Sequence, residues 1–213
     1  MAKLSRKKLA VEVWDRLNEA FPDSCCSLDS GPAWQLSIRG ILSAQCTDKR
    51  VNITAGELFE IFKTPEQLDA AQTEEVEEII RPCGLYKAKA ASLKTFVNLL
   101  VNEWGGEVPK DRDELMRVPG IGRKIANLIL GECYGIPAVV VDTHCKRVMY
   151  RIGITDSRTP AGVEKDILKY FPEDEWIKLG HLSVDLGRNY CRAGRPLCES
   201  CPLSGVCGRR EVG

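Results

Sequence analysis

A chain of 213 residues with 44% hydrophobic and 28% charged residues can bury one large apolar core or two small ones, and its composition excludes disorder. No apolar run approaches the roughly 18 residues that cross a bilayer, and no apolar segment follows the basic stretch from Met1 to Lys8, so neither a membrane protein nor a secreted one is expected. Thirty basic residues balance thirty acidic ones, so the totals alone point to no nucleic acid.

The pattern along the chain is helical. Leu9, Val13, Leu17 and Phe21 recur every four residues, which predicts an amphipathic first helix. Thr64-Pro65-Glu66-Gln67 reads as N-cap, N1 proline and N3 glutamine, the start of a capped helix. Asp48 and Thr73 are expected to cap two further helices. Leu93, Phe96, Val97, Leu100 and Val101 form another stripe that Trp104-Gly105-Gly106 ends. Val139-Val140-Val141 is the one β-like run, too short and solitary to build a sheet. An all-α architecture of about ten short helices follows. Charge is uneven: Glu66 to Glu78 holds six carboxylates and no base, whereas Arg117 to Arg151 holds Arg117, Arg123, Lys124, Lys146, Arg147 and Arg151 against two carboxylates. Either one face meets a polyanion or both are solvated helix faces.

The most informative dozen residues run from Leu115 to Ala126. Pro119 stops a helix, and Gly120 and Gly122 permit backbone angles barred to other residues. A second helix then continues through Ile125, Leu128 and Ile129. Its bare N-terminal amides and dipole suit an anion, and a DNA phosphate fits, because glycine lets the backbone approach within hydrogen-bonding range. This is a helix-hairpin-helix pattern, a sequence-independent DNA anchor; an ordinary tight turn is the plainer alternative. Lys124 sits on the first turn of that second helix. Its plainer role is phosphate contact; as a nucleophile it needs desolvation or nearby positive charge, which Arg123 and the helix N-terminus supply. Eighteen residues later the valine run delivers Asp142 to the start of another helix. There it is an N-cap at least, or a carboxylate that takes a proton from an ammonium and stabilises positive charge on a sugar.

Ten cysteines in a reducing compartment point away from disulfides. Cys191, Cys198, Cys201 and Cys207 are spaced C-x6-C-x2-C-x5-C, enough thiolates to wrap one compact centre. An iron–sulfur cubane suits this run better than zinc, which favours paired short knuckles, but both remain open on spacing alone. Cys25, Cys26, Cys46, Cys83, Cys133 and Cys145 have no ligand spacing.

Pro119-Gly120-Ile121-Gly122-Arg123-Lys124 followed by Val141-Asp142-Thr143-His144 resembles the helix-hairpin-helix DNA glycosylase superfamily, and most closely its endonuclease III branch, from Leu36 through Cys207. The resemblance implies two helical domains: residues 25–136 as a six-helix domain with the hairpin, and residues 1–24 with 137–213 as a domain holding a [4Fe–4S] cluster on the four cysteines. It implies a bifunctional DNA glycosylase and abasic-site lyase of base excision repair acting on oxidised pyrimidines. Lys124 would attack the deoxyribose C1′ with Asp142 assisting, the two facing each other across an interdomain cleft, and β-elimination from the Schiff base would cut 3′ to the abasic site. Gln45, in Leu42-Ser43-Ala44-Gln45-Cys46-Thr47-Asp48, would fill the gap left by the extruded nucleotide, and Leu85 would wedge against the unpaired partner base. Gly120, Gly122, Arg123, His144 and Arg147 would contact the DNA. The implied partner is double-stranded DNA with damaged bases or abasic sites, bound by a monomer in a bacterial-type cytoplasm at the nucleoid. Three rivals differ in sequence features. A sister glycosylase for mispaired adenine lacks the lysine, a bare DNA-binding module needs no Lys124–Asp142 pair, and an electron carrier needs no hairpin.

Overall fold

The computed structural model describes residues 4–212; the first three residues of the basic N-terminal stretch and Gly213 lie outside them. Among the described residues there are eleven α-helices and no strand. They are α1 (Arg6–Ala20), α2 (Ala33–Leu42), α3 (Asp48–Ile61), α4 (Pro65–Ala70), α5 (Thr73–Ile80), α6 (Tyr86–Asn102), α7 (Arg112–Leu115), α8 (Arg123–Tyr134), α9 (Thr143–Ile152), α10 (Pro160–Tyr170) and α11 (Trp176–Asn189). Backbone contacts divide the chain into a split unit, Met1–Cys25 with Pro137–Gly213, and a central unit, Cys26–Ile136.

In the central unit α6 packs on α4 and α5, and α2 packs on α3, α6 and α8. Leu42, Leu58, Leu68, Leu93, Phe96, Leu100 and Ile129 are fully buried there. The stripe on α6 therefore faces the core, apart from Val101 at its edge, and the helix ends where Gly106 N donates to Leu100 O at 2.9 Å with Gly105 and Gly106 both at positive φ. Thr64 caps α4 by accepting from Gln67 N at 3.3 Å, and Gln67 Oε1 accepts from Lys63 N at 2.7 Å, one residue upstream of the usual reciprocal partner. Two expected caps move by one residue. Thr47 and Gln72 are the N-caps of α3 and α5, and Asp48 and Thr73 are the first helical residues. A carboxylate in the first turn stabilises the helix through its dipole without capping it, which explains why Asp48 reads as a start signal.

In the split unit α9 packs on α10 and α11, and α1 closes against α10 and α11. Leu9, Val13 and Leu17 of α1 join Val148, Met149, Ile167, Leu182 and Leu203 in one core, as the four-residue stripe requires. The Val139–Val141 run finds no strand to pair with. It is an extended connection lying against α11, where a Cβ added to Gly180 would meet Val140 N at 3.5 Å.

Candidate nucleic-acid interface and active site

The hairpin is built as the sequence requires. α7 ends at Leu115, Val118 N donates to Leu115 O at 3.2 Å, and Ile121 N donates to Val118 O at 3.0 Å. Leu115, Val118, Ile121 and Ile125 are all buried and hold the turn from beneath. Gly120 adopts φ +90°, and a Cβ there would meet Ser92 Oγ at 3.1 Å and Ile41 at 3.8 Å, so backbone geometry and space both demand glycine. Gly122 is the N-cap of α8 and has no side chain to satisfy the first-turn amides; a Cβ there would meet nothing within 4 Å. The hairpin thus presents amides and a positive helix end on an open, exposed side, which is what an anion needs. Arg123 and Lys124 follow on the first turn of α8, both exposed.

Gly120 touches α2 and α6, the helices that flank the two proposed DNA-entering loops. α2 ends three residues before Gln45, which is exposed at φ +53°, and α6 starts just after Leu85, which is 56% exposed at φ +50°. Both side chains stand on left-handed residues where glycine or asparagine is usual. The central unit therefore brings Gln45, Leu85, Gly120, Gly122, Arg123 and Lys124 onto neighbouring elements.

In the split unit Asp142 caps α9, its Oδ1 accepting from Cys145 N at 2.7 Å. The cap uses one oxygen, which leaves the half-buried carboxylate Oδ2 for other work. His144 packs so closely on α11 that a Cβ on Gly187 would meet its Nδ1 at 2.7 Å. Burial pushes the His144 imidazole below its usual value, opposed by Asp142 and reinforced by Arg147 and Arg188, so the ring is neutral at pH 7. Arg147 donates from Nε to Cys191 O at 2.9 Å and from Nη2 to Gly187 O at 3.1 Å, with His144 Nδ1 also 3.1 Å from Nη2. Its guanidinium thus ties α9 to the start of the cysteine loop.

Cys191, Cys198, Cys201 and Cys207 line one cavity with Ile152, Leu186, Leu197, Leu203 and Val212. Burial raises the Cys201 and Cys207 thiols, and each is raised further by its cysteine neighbours in the loop. Among the described residues no three His, Cys, Asp or Glu converge closely enough to hold a single metal ion. Zinc draws its sulfurs to about 2.3 Å from one point. Four thiols lining one largely apolar cavity fit a group of several atoms held by all of them. Arg209 N donates to Cys207 Sγ at 3.4 Å and Arg151 Nη1 to Cys191 Sγ at 3.7 Å, the kind of bonds that stabilise thiolate ligands.

Sequence reasoning missed Arg151, counted there only as a basic charge. It is 9% exposed and donates to Arg192 O at 2.7 Å and Ala193 O at 3.0 Å, which pins the cysteine loop to α9. Spacing carries no signal for such a role; a lone arginine on the apolar face of an otherwise alternating helix is the only hint. The basic face is also thinner than the count suggests. Arg117 pairs with Glu103 at 2.7 Å and Glu114 at 2.8 Å, Arg209 with Glu199 at 2.8 Å, and Arg210 with Asp156 at 2.7 Å.

Residues 38–173 match the family described as HhH-GPD superfamily base excision DNA repair protein. The chain is 38% identical to endonuclease III of Bacillus subtilis over 194 residues, which is 91% of this chain and 89% of that protein. It is 34% identical to endonuclease III of Escherichia coli K12 over 205 residues, 96% of this chain and 97% of that one. The fold superposes on a trapped endonuclease III–DNA covalent intermediate with a TM-score of 0.90 at 40% identity, covering 96% of each chain.

Proposed function

Because the chain belongs to the HhH-GPD superfamily of base excision DNA repair proteins and, within it, to the endonuclease III family, we propose that Lys124 and Asp142 carry its chemistry and that oxidised pyrimidines are its substrates. The protein is a bifunctional DNA glycosylase and abasic-site lyase, and it binds DNA. The observation that carries the residue assignment is the hairpin: bare amides at the start of α8 fit a phosphate, and the exposed Lys124 stands on that same first turn. The phosphate fixes the sugar beside the amine, so an otherwise bimolecular attack becomes a positioned one.

Neutral Lys124 Nζ bonds to C1′ as the glycosidic bond breaks, and the departing base takes up a proton. The free oxygen of Asp142 accepts the ammonium proton and offsets the charge on the sugar. Loss of the second amine proton as the ring opens leaves an imine; removal of a C2′ proton expels the 3′ phosphate, and water then releases the lysine. Gln45 and Leu85 enter the vacated stack and offset the few kcal/mol of unstacking. Cys191, Cys198, Cys201 and Cys207 would hold a [4Fe–4S] cluster, whose contribution when bound is to cross-link a loop without regular secondary structure. We place the enzyme, as a monomer, in the cytoplasm of a bacterial cell, where thiols stay reduced.

Borohydride tests the assignment, since it reduces an imine to a stable protein–DNA adduct. Wild-type protein on thymine glycol duplex should trap, and Lys124→Gln should neither trap nor nick while still retarding the duplex. Trapping by Lys124→Gln on damaged DNA would assign the nucleophile to another amine.

A further inference from the structure

Two cysteines that the proposed chemistry does not use lie where the DNA-entering loops meet. Cys46 follows Gln45 directly and is half-buried; Cys83 precedes Leu85 by two residues and is 3% exposed. Their neighbours Thr47 and Pro82 line one cavity together with Arg50 and Thr54, and Arg50 Nη1 donates to Pro82 O at 3.3 Å. The two loops therefore abut along the first turns of α3. Burial raises the Cys83 thiol, and Cys46, Thr54 and Lys89 are the neighbours close enough to act on it. Beside them Lys89 is only 4% exposed, and its Nζ donates to Cys83 O at 2.8 Å. Burial depresses the Lys89 ammonium, and the charged groups that oppose this are the Cys83 and Cys46 thiols. The Lys89 ammonium opposes the burial that raises the Cys83 thiol, and so favours its thiolate, the form that attacks disulfides. The half-buried Cys133 and the buried Cys145 differ, because the charged group acting on each is a carboxylate, which disfavours the thiolate.

We propose that Cys46 and Cys83 are a disulfide-forming pair which, when oxidised, ties the loop of Gln45 to the loop of Leu85. Cys46 is the more accessible of the two and reacts first. Its thiolate attacks a small disulfide such as oxidised glutathione, forming a mixed disulfide and releasing one glutathione thiolate. The Cys83 thiolate then attacks the Cys46 sulfur, closing the protein S–S bond and expelling the second glutathione thiolate. The two thiol protons pass to the two released glutathiones, and the two electrons lost by the protein reduce the one small disulfide. Burial raises the Cys83 thiol, which makes the second step the slower one, and Lys89 acts against that. The functional consequence rests on the reading of Gln45 and Leu85 as DNA-entering residues: linked loops must enter the duplex at a fixed spacing.

Cluster-loaded, full-length protein is incubated with oxidised glutathione, blocked with N-ethylmaleimide, digested without reduction and mapped by mass spectrometry. The exposed Cys25 is the internal gauge of oxidant strength. At a concentration that glutathionylates Cys25, a peptide pair joining Cys46 to Cys83 should appear, two hydrogens lighter than its parts. Cys83→Ser should stop at the mixed disulfide on Cys46, and Cys46→Ser should give neither product. Cys25 modified while Cys46 and Cys83 are both maleimide-blocked overturns the pair, as does a wild-type protein that halts at the mixed disulfide. The linked protein should excise thymine glycol about tenfold more slowly, as expected if linkage depletes the DNA-competent arrangement by that factor. Dithiothreitol should restore the rate. Linkage without any change in rate overturns the loop-locking consequence, whereas an inactive reduced protein would instead indict the functional assignment itself.

Discussion

The hairpin and the cysteine loop are both stretches of irregular backbone, yet they are held by different forces. Beneath the hairpin sit Leu115, Val118, Ile121 and Ile125, all buried, so apolar packing fixes its amides before any ligand arrives. Among the described residues beyond Asn189 the cysteine loop has no regular secondary structure, and apart from the buried Leu203 its fixed points are largely hydrogen bonds: Arg147 to Cys191 O, and Arg151 to Arg192 O and Ala193 O. The loop also rests on Gly208 N donating to Ile152 O at 2.8 Å and Arg210 N donating to Arg151 O at 3.1 Å. Apolar packing is short-ranged and self-sufficient, whereas polar anchors leave buried groups unsatisfied once one partner goes. The first region should tolerate conditions that loosen the second.

The largest effect should come from Cys198→Ser. If the four cysteines hold a cluster, its loss removes the loop's covalent core, and amides from 190 to 212 should lose hydrogen-exchange protection while those from 115 to 130 keep it. Equal loss in both regions would show that the two are not independently held. Next, Arg151→Met should destabilise by about 3 kcal/mol in a urea melt, because two loop carbonyls and a buried side chain lose their partners together. A change within error would mean the loop is held elsewhere. Gly120→Ala should cost about 2 kcal/mol, from a Cβ at positive φ pressed against Ser92. It should also weaken DNA binding with no change in the loop's exchange rates.

The smallest effect concerns pH. Burial, reinforced by Asp174 and Asp15, pushes the Glu175 carboxyl up to about 7. The folded state therefore holds this proton more tightly than the unfolded state, and Glu175 costs stability as pH rises from about 4.5 to 7. Screening at a partly exposed site limits the effect to about 1 kcal/mol. Glu175→Gln should flatten that part of the stability–pH profile and leave the hairpin's exchange unaltered. An unchanged profile would place the titration on another group.

What the sequence made legible follows the same division. The hairpin could be read because its determinants are local: proline and glycine punctuation with apolar residues at fixed offsets. The helix stripes at Leu9–Leu17 and Leu93–Leu100 were legible because a 3.6-residue period survives any tertiary context. Helix starts at Asp48 and Thr73 shifted by one residue, since a cap and a polar first-turn side chain look alike in sequence: Asp48 is a first-turn carboxylate, and Thr73 is followed by Glu74 and Glu75. Arg151 and Arg117 were opaque. Counting charge along a chain cannot reveal that one guanidinium is buried as an anchor and the other faces Glu103 and Glu114. Such pairing leaves the net charge unaltered, but it reduces the positive charge that Arg117 can offer a polyanion.

Gln45 and Leu85 stand on left-handed backbone that glycine would occupy without penalty, a relief of about 1 to 2 kcal/mol at each position. Any search among variants for heat resistance alone would therefore favour glycine at 45 and 85. It would return sturdier molecules without the side chains proposed to fill and wedge the opened duplex. On that reading, the strain at both positions is the cost of placing side chains for repair rather than for endurance.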